Sequence, residues 1–381
     1  MAHCSTLMGQ LLQLIPRHVF DHLTESLAWQ GPKPRKFSYW SHLAAMLFGQ
    51  WSGRKSLRDL VFSLNRHARK FYHLGLARVK RSTLAEANER RPALIFEKTY
   101  YKLYERLSGE MSAQTHRAPR IKIIDATTIE LCAGVFPWAK FRARKGAIKL
   151  HTVLTGLLPQ CVLVTDGRTH DRRAVQDLHF EPGDLLIFDR AYLDYAWLYQ
   201  LHQGGVWLVT RLKSNSCYEV IKAHPASGPV LADELIRLSS PQGLAAYPEV
   251  LRRVHYQDPK TGQEYVFLTN RLELAALKIA ELYRRRWQIE LFFKWLKQNL
   301  KIKAFYGTSK NAVLIQIWTA LIAYLLLVWL KFKSQVGWGL LEFSRLAQIM
   351  LMERCDLWGM LNPGAKAPPP QLLLFPLQAT S

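Results

Sequence analysis

The chain has 381 residues, of which 49% are apolar and 21% charged, with a formal net charge of +23. That apolar content supports a large buried core and excludes a disordered chain. A positive excess of that size points to a polyanionic partner, nucleic acid before a membrane surface. The five cysteines (Cys4, Cys132, Cys161, Cys217, Cys355) are widely spaced and form no C-x-x-C pair, which argues against a disulfide framework or a thiolate zinc site and for a reducing compartment. The N-terminal stretch, interrupted by Gln10, Gln13, Arg17 and His18, lacks the unbroken apolar run of a secretory signal.

Residues 1–115 read as a helical, basic domain. Apolar residues recur at helical spacing in Ser41–Phe48, Leu57–Leu64 and Ser82–Leu107, with Ser56, Asn65 and Ser82 as cap or turn residues. Through Arg120 there are 20 Lys and Arg against 8 Asp and Glu, so this third carries about half the positive excess. It suits DNA binding; a helical bundle with solvated basic faces is the other reading.

At residue 120 the pattern changes. Arg120–Cys132, Ala147–Leu154 and Gln160–Thr165 read as strands, Asp171–Leu178 as a helix, Asp184–Phe188 as a buried strand, Tyr192–Leu201 as a helix and Val206–Thr210 as a strand. This order predicts a mixed α/β sheet flanked by helices. Residues 213–270 read as a β-rich insertion with strands at Tyr247–His255 and Glu264–Thr269. From Leu272 to about Leu361 the chain reads as helical. Residues 116–212 and 271–335 would form the catalytic domain, and 336–381 a helical segment with a Pro-rich tail. Ala312–Leu330 is long and apolar enough to span a membrane, but Gln316 within it and the basic sequence before it favour a buried core helix.

Three carboxylates stand out. Asp125 interrupts a β-favouring run after Ile121, Ile123 and Ile124; it is either an edge-strand residue facing solvent or a ligand group. Asp189 follows Leu185–Phe188 directly, at the strand tip where open α/β sheets hold ligands; helix N-capping is the alternative. Glu290 lies in Ala280–Leu300, which reads as one continuous helix. On it Tyr283, Arg286, Glu290 and Lys297 fall within about 60° of one another, bordering the apolar stripe. A salt-bridge ladder along that helix is the plainer reading. Two aspartates and a glutamate suffice to bind Mg²⁺, with Mn²⁺ as a substitute, for phosphodiester chemistry.

Tyr283-x2-Arg286-x3-Glu290-x6-Lys297 resembles the Y-R-E-K signature of DDE transposases of the insertion-sequence-four type. Asp125-Ala126-Thr127 resembles the first-Asp motif of that family, and Asp189-Arg190-Ala191-Tyr192 the second, with Ala191 in place of the usual glycine. Lys145–His151 and Ser38–Leu60 are also similar. The resemblance implies a ribonuclease-H-like fold with a β-rich insertion and catalytic, metal-binding Asp125, Asp189 and Glu290. It also implies cut-and-paste transposition through a DNA hairpin, acting on double-stranded transposon ends and target as a homodimer in the synaptic complex, in the cytoplasm at the nucleoid and not in a membrane. Tyr283, Arg286 and Lys297 would contact end phosphates. Trp287, or less favourably Trp207, would stack a flipped base, and Lys294 would add to the DNA-facing charge. His151, His170 and Asp171 lie near the site but are not expected as ligands. The alternatives are a structure-specific nuclease on the same fold or an inactive DNA-binding descendant.

Overall fold

Where apolar residues recur every three to four positions the chain forms helices, and Ser side chains start several of them. Ser38, Ser56 and Ser309 each accept a hydrogen bond from the backbone N–H three residues on, which satisfies a donor that has no partner inside the helix. The computed structural model describes residues 5–27, 34, 36–112, 120–142, 145–167, 178–300, 302 and 305–363. The chain divides into two compact units, Met1–Gln114 with Trp295–Ser381, and Thr115–Lys294.

The first unit is helical: α1 (Leu7–Gln13), α2 (Arg17–Leu27), α3 (Tyr39–Trp51), α4 (Leu57–Arg66), α5 (Arg81–Arg90), α6 (Ala93–Ser112) and, from the C-terminal part, Lys310–Lys333, Leu340–Met350 and Leu357–Leu361. The expected helix over Ser82–Leu107 is two helices. Pro92 cannot donate an N–H and pushes Arg91 into extended geometry (ψ 134°), which ends α5. Asn311 then bridges the gap, accepting from the Ala93 N–H and donating to the carbonyls of Asn88 and Arg91.

Lys310–Lys333 is the candidate membrane span, and 89% of its most apolar window is buried. Its polar groups are satisfied internally: Gln316 Oε1 accepts from the Tyr306 N–H at 2.8 Å and Thr319 donates to Ile315 O at 2.6 Å. It is the core helix that the second reading expected.

The second unit is built on one mixed sheet. Its strands are β1 (Ile121–Leu131), β2 (Lys140–Arg142), β3 (Lys145–Thr155), β4 (Leu158–Asp166), β5 (Leu185–Phe188), β6 (Trp207–Arg211), β7 (Tyr218–His224), β8 (Val230–Leu238), β9 (Leu251–Gln257) and β10 (Glu264–Thr269), with helices α7 (Tyr195–Gln203) and α8 (Pro241–Ala246) between them. The order across the sheet is β4-β3-β1-β5-β6-β10-β9-β8-β7, with β2 also on β3. β3 and β4 run antiparallel to their neighbours, and β5 and β6 run parallel to β1. That order and sense is the ribonuclease-H-like one. β10 pairs with β6, so the β-rich segment continues the same sheet. Tyr247 belongs to the turn after α8, and the expected strand there starts only at Leu251. The expected helix at Asp171–Leu178 lies outside the described residues except for Leu178, as do His170, Lys301, Lys303 and the tail from residue 364.

Both sheet faces are covered. Ile124, Leu186, Phe188 and Leu208 pack with α7 through Trp197, Leu198 and Leu201. The alternate residues Ile123, Ile187 and Val209 are equally buried and point to the opposite face. At the N-terminal ends of β1 and β5, Lys122 meets the fully buried Asp184 at 2.7 Å and Arg120 reaches it at 3.2 Å. This pair ties the two strands in register.

Candidate active site

In that register Ile123 pairs with Ile187 and Ile124 with Phe188. The next position on each strand is Asp125 and Asp189, so two residues far apart in sequence emerge side by side on one face, strands about 5 Å apart. The expected continuous helix over Ala280–Leu300 is instead two helices, α9 (Ala276–Arg284) and α10 (Trp287–Asn299). Between them the Arg285 N–H bonds Leu282 O and the Arg286 N–H bonds Tyr283 O, both three residues back. That tightened turn departs from the 100° step of a regular helix. Across it Arg286 still lies one turn before Glu290, as an ideal wheel would place it, and pairs with it.

Arg286 reaches Asp125 Oδ2 at 3.1 Å and also pairs with Glu290. One guanidinium thus bridges the first and third acids. Asp125 Oδ1 accepts from the Ala126 N–H at 2.8 Å. Burial pushes the Asp125 carboxyl up to about 6; the Ala126 N–H and Arg286 oppose this, and the charges of Asp189 and Glu290 add to it. Asp125 therefore senses both of the other carboxylates. Asp189 Oδ1 caps the short turn Arg190–Tyr192 through the Ala191 N–H at 3.1 Å. The helix α7 has its own cap in Asp194, so the capping role falls on one oxygen of Asp189.

Tyr283 is buried beside the Arg286 guanidinium, 5.8 Å from its ring, and burial, opposed by Arg286, pushes its pKa up to about 12. Lys294, one turn after Glu290, is exposed; Lys297 lies further along the same helix, half-buried. Among the described residues no three His, Cys, Asp or Glu side chains converge as a metal-ligand set. The donor set itself suits a hard divalent cation: it is all oxygen, and burial together with mutual repulsion raises Asp125, a penalty that a bound cation would relieve.

Beside Arg286 lies a cavity of about 300 Å³ lined by Arg211, Tyr256, Tyr265, Phe267, Tyr283 and Trp287 among others. Tyr265 and Phe267 stack at 5.8 Å with planes 6° apart. Trp287 is 57% exposed. Sequence reasoning did not single out the aromatic residues on β10, although Tyr265 and Phe267 alternate as same-face strand residues do. Trp207, by contrast, pairs with Leu185 at the far end of the strands and sits under Arg271. It is not at this site. His151 is buried and bonds Thr165 at 2.9 Å.

Residues 116–326 match the family described as Transposase DDE domain, and residues 3–77 match a domain of unknown function (DUF4372). The transposase-family protein y4zB of Sinorhizobium fredii is 34% identical over 290 residues, covering 74% of this chain and 80% of that protein. A transposase for insertion sequence element IS5377 of Geobacillus stearothermophilus is 29% identical over 71% of this chain and 74% of its own length. A cryo-EM structure of a piggyBac transposase synaptic complex with hairpin DNA aligns with 96% of this chain and 84% of that chain, at 11% identity and a TM-score of 0.46. The family match spans more than half of the chain, and y4zB is 34% identical over 74% of it: the chain belongs to the DDE-domain transposases.

Proposed function

We propose that Asp125, Asp189 and Glu290 are the catalytic carboxylates of a cut-and-paste reaction on double-stranded DNA at the ends of an insertion sequence, of the insertion-sequence-four type. The observation that carries this reading is the side-by-side emergence of Asp125 and Asp189 with Glu290 linked to Asp125 through Arg286. In the first step water attacks the end phosphodiester, the bond from phosphorus to the 3′ oxygen breaks, and a 3′-hydroxyl is freed. That hydroxyl then attacks the opposite strand, exchanging one phosphodiester for another and leaving a hairpin. Hydrolysis reopens the hairpin, and the 3′ end is joined to target DNA by the same exchange.

Asp125, Asp189 and Glu290 would hold Mg²⁺, for which Mn²⁺ would substitute, and a bound cation would acidify the attacking hydroxyl and stabilise the leaving oxygen. Arg286 neutralises Asp125 and Glu290 in the free chain; with those acids engaged, its fork is available for a non-scissile phosphate. Tyr283 brings a buried hydroxyl donor beside Arg286, and Lys294 and Lys297 extend the positive side of the helix. Trp287 and the cavity lined by Tyr265 and Phe267 suit a base turned out of the stack during hairpin formation. Joining two ends calls for two copies of the chain on DNA.

The test is cleavage of duplexes carrying the ends of the element that encodes the chain, with Mg²⁺ and full-length protein. Asp125→Ala and Glu290→Ala should each abolish cleavage while leaving DNA binding in place; cleavage that survives either change refutes the assignment. Offering a free 3′-hydroxyl end with a target plasmid should give joined products. Cleavage without joining would point to a structure-specific nuclease.

A further inference from the structure

Helix α4 carries Arg58, Phe62 and Arg66 four residues apart, which puts them on one face. Its opposite side buries Leu57, Leu60 and Leu64. The segment before α5 is drawn onto this face by Asn65, which accepts from the Val79 N–H at 3.2 Å and donates to Val79 O at 2.9 Å. That clasp brings Arg78 and Arg81 to the same groove, about 430 Å³ in volume. All four arginines are exposed. None forms an ion pair with an acidic residue among the described residues: Asp59 takes Arg54, and Glu86 takes Arg90. Phe62 stands 61% exposed with the Arg66 guanidinium 5.0 Å from its ring.

Four like charges held around one concavity repel each other, and the described residues supply no counter-charge. An exposed phenyl ring at the centre adds an apolar surface facing water. Both features are costs to the free chain that a polyanion with a flat apolar component would relieve. Duplex DNA has both, as phosphates spaced along a groove edge and as deoxyribose faces between them. We propose that Arg58, Arg66, Arg78 and Arg81, set around Phe62, form a binding site for the sugar-phosphate backbone of duplex DNA. The site belongs to the helical unit, uses none of the residues placed in the carboxylate site, and rests on the reading that the chain acts on DNA.

The experiment measures binding of the full chain to a labelled duplex across a salt series. Removing one cation that neutralises a phosphate lowers the slope of log affinity against log salt by about 0.9. Changing all four arginines to alanine should flatten the slope by about 3 to 4 and weaken binding on the order of 100-fold at low salt. Changing all four to lysine should retain most of the slope. Phe62→Ala should weaken binding several-fold with the slope unchanged. A quadruple alanine variant with wild-type slope overturns the site, and so does a lysine variant that falls as far as the alanine one. Loss of binding to vesicles containing phosphatidylserine, with duplex affinity intact, would assign the groove to a membrane and also overturn it. Cleavage assayed in parallel separates the two readings: a wild-type chain that binds with the expected slope and cuts nothing contradicts the proposed reaction, not the groove.

Discussion

Arg286 is a cation placed between two acids, and its two bonds define what its replacement should do. With alanine there, Asp125 and Glu290 lose a shared counter-charge, and an end phosphate loses a fork. Arg286→Ala should weaken binding of cognate ends by roughly 10- to 100-fold, the loss of one charged hydrogen-bonding group, as read by titration of end duplexes with Mg²⁺ present. A larger change in the metal requirement than in end affinity would contradict the phosphate role. Trp287→Ala should leave the first nick nearly unchanged and slow hairpin formation, resolved on denaturing gels; an equal loss in both steps would remove it from base stacking. As candidates the acids were legible in the sequence: Asp125 interrupts a β-favouring run, Asp189 follows a buried strand, and Glu290 shares a helix face with Tyr283, Arg286 and Lys297. The contact of Arg286 with Asp125 was not, since it joins residues far apart in sequence, which no helical wheel contains.

Another single residue sets a pH limit. His42 is fully buried, and burial, helped by Arg91 and opposed by its hydrogen bond to Asn88, lowers its pKa to about 3. The unfolded chain titrates near 6.5. The folded state therefore stays neutral where the unfolded state gains a proton, so stability is complete above pH 6.5 and falls as pH drops toward 3. Between pH 7 and 5 this one group should remove about 2 kcal/mol. Urea unfolding at the two pH values should show that loss in the wild type and much less of it in His42→Gln; equal losses would place the titration elsewhere.

At the scale of elements, the parallel strand β6 is held at its beginning by a side chain that takes the place of a backbone partner. Asn270 accepts from the Leu208 N–H and donates to Val206 O, both at 2.9 Å, and is itself buried. Asn270→Leu would keep the size and strand two buried backbone groups. It should cost about 2–4 kcal/mol in denaturant unfolding, and a cost under about 0.5 kcal/mol would mean that water replaces the amide. Strong local signals such as the apolar run of β5 or the β-branched residues of β1 were visible from sequence. β7 and β8 were not: β7 is exposed along nearly its whole length, so burial imposed no alternation on its residues. Pro92 and the turn at Arg285–Arg286 divided helices whose apolar periodicity continues across the break, which is why periodicity alone joined them.

For the whole molecule, a net charge of +23 makes any association with DNA steeply salt-dependent, and comparisons between variants hold only at fixed ionic strength. The register of β1 against β5 has a consequence for altering the chain. Asp125 and Asp189 are placed by the paired segments Ile121–Ile124 and Leu185–Phe188, and by the Lys122–Asp184 anchor beneath them. The hairpin between β3 and β4 turns through Gly156, whose φ of 59° favours glycine, with nothing near the position a side chain would occupy. That turn is a port. A short Gly-Ser peptide, or a fluorophore tag, inserted after Gly156 should pass unnoticed by the cleavage assay, whereas one residue inserted between Phe188 and Asp189 should silence it by swinging the second aspartate to the other side of the sheet.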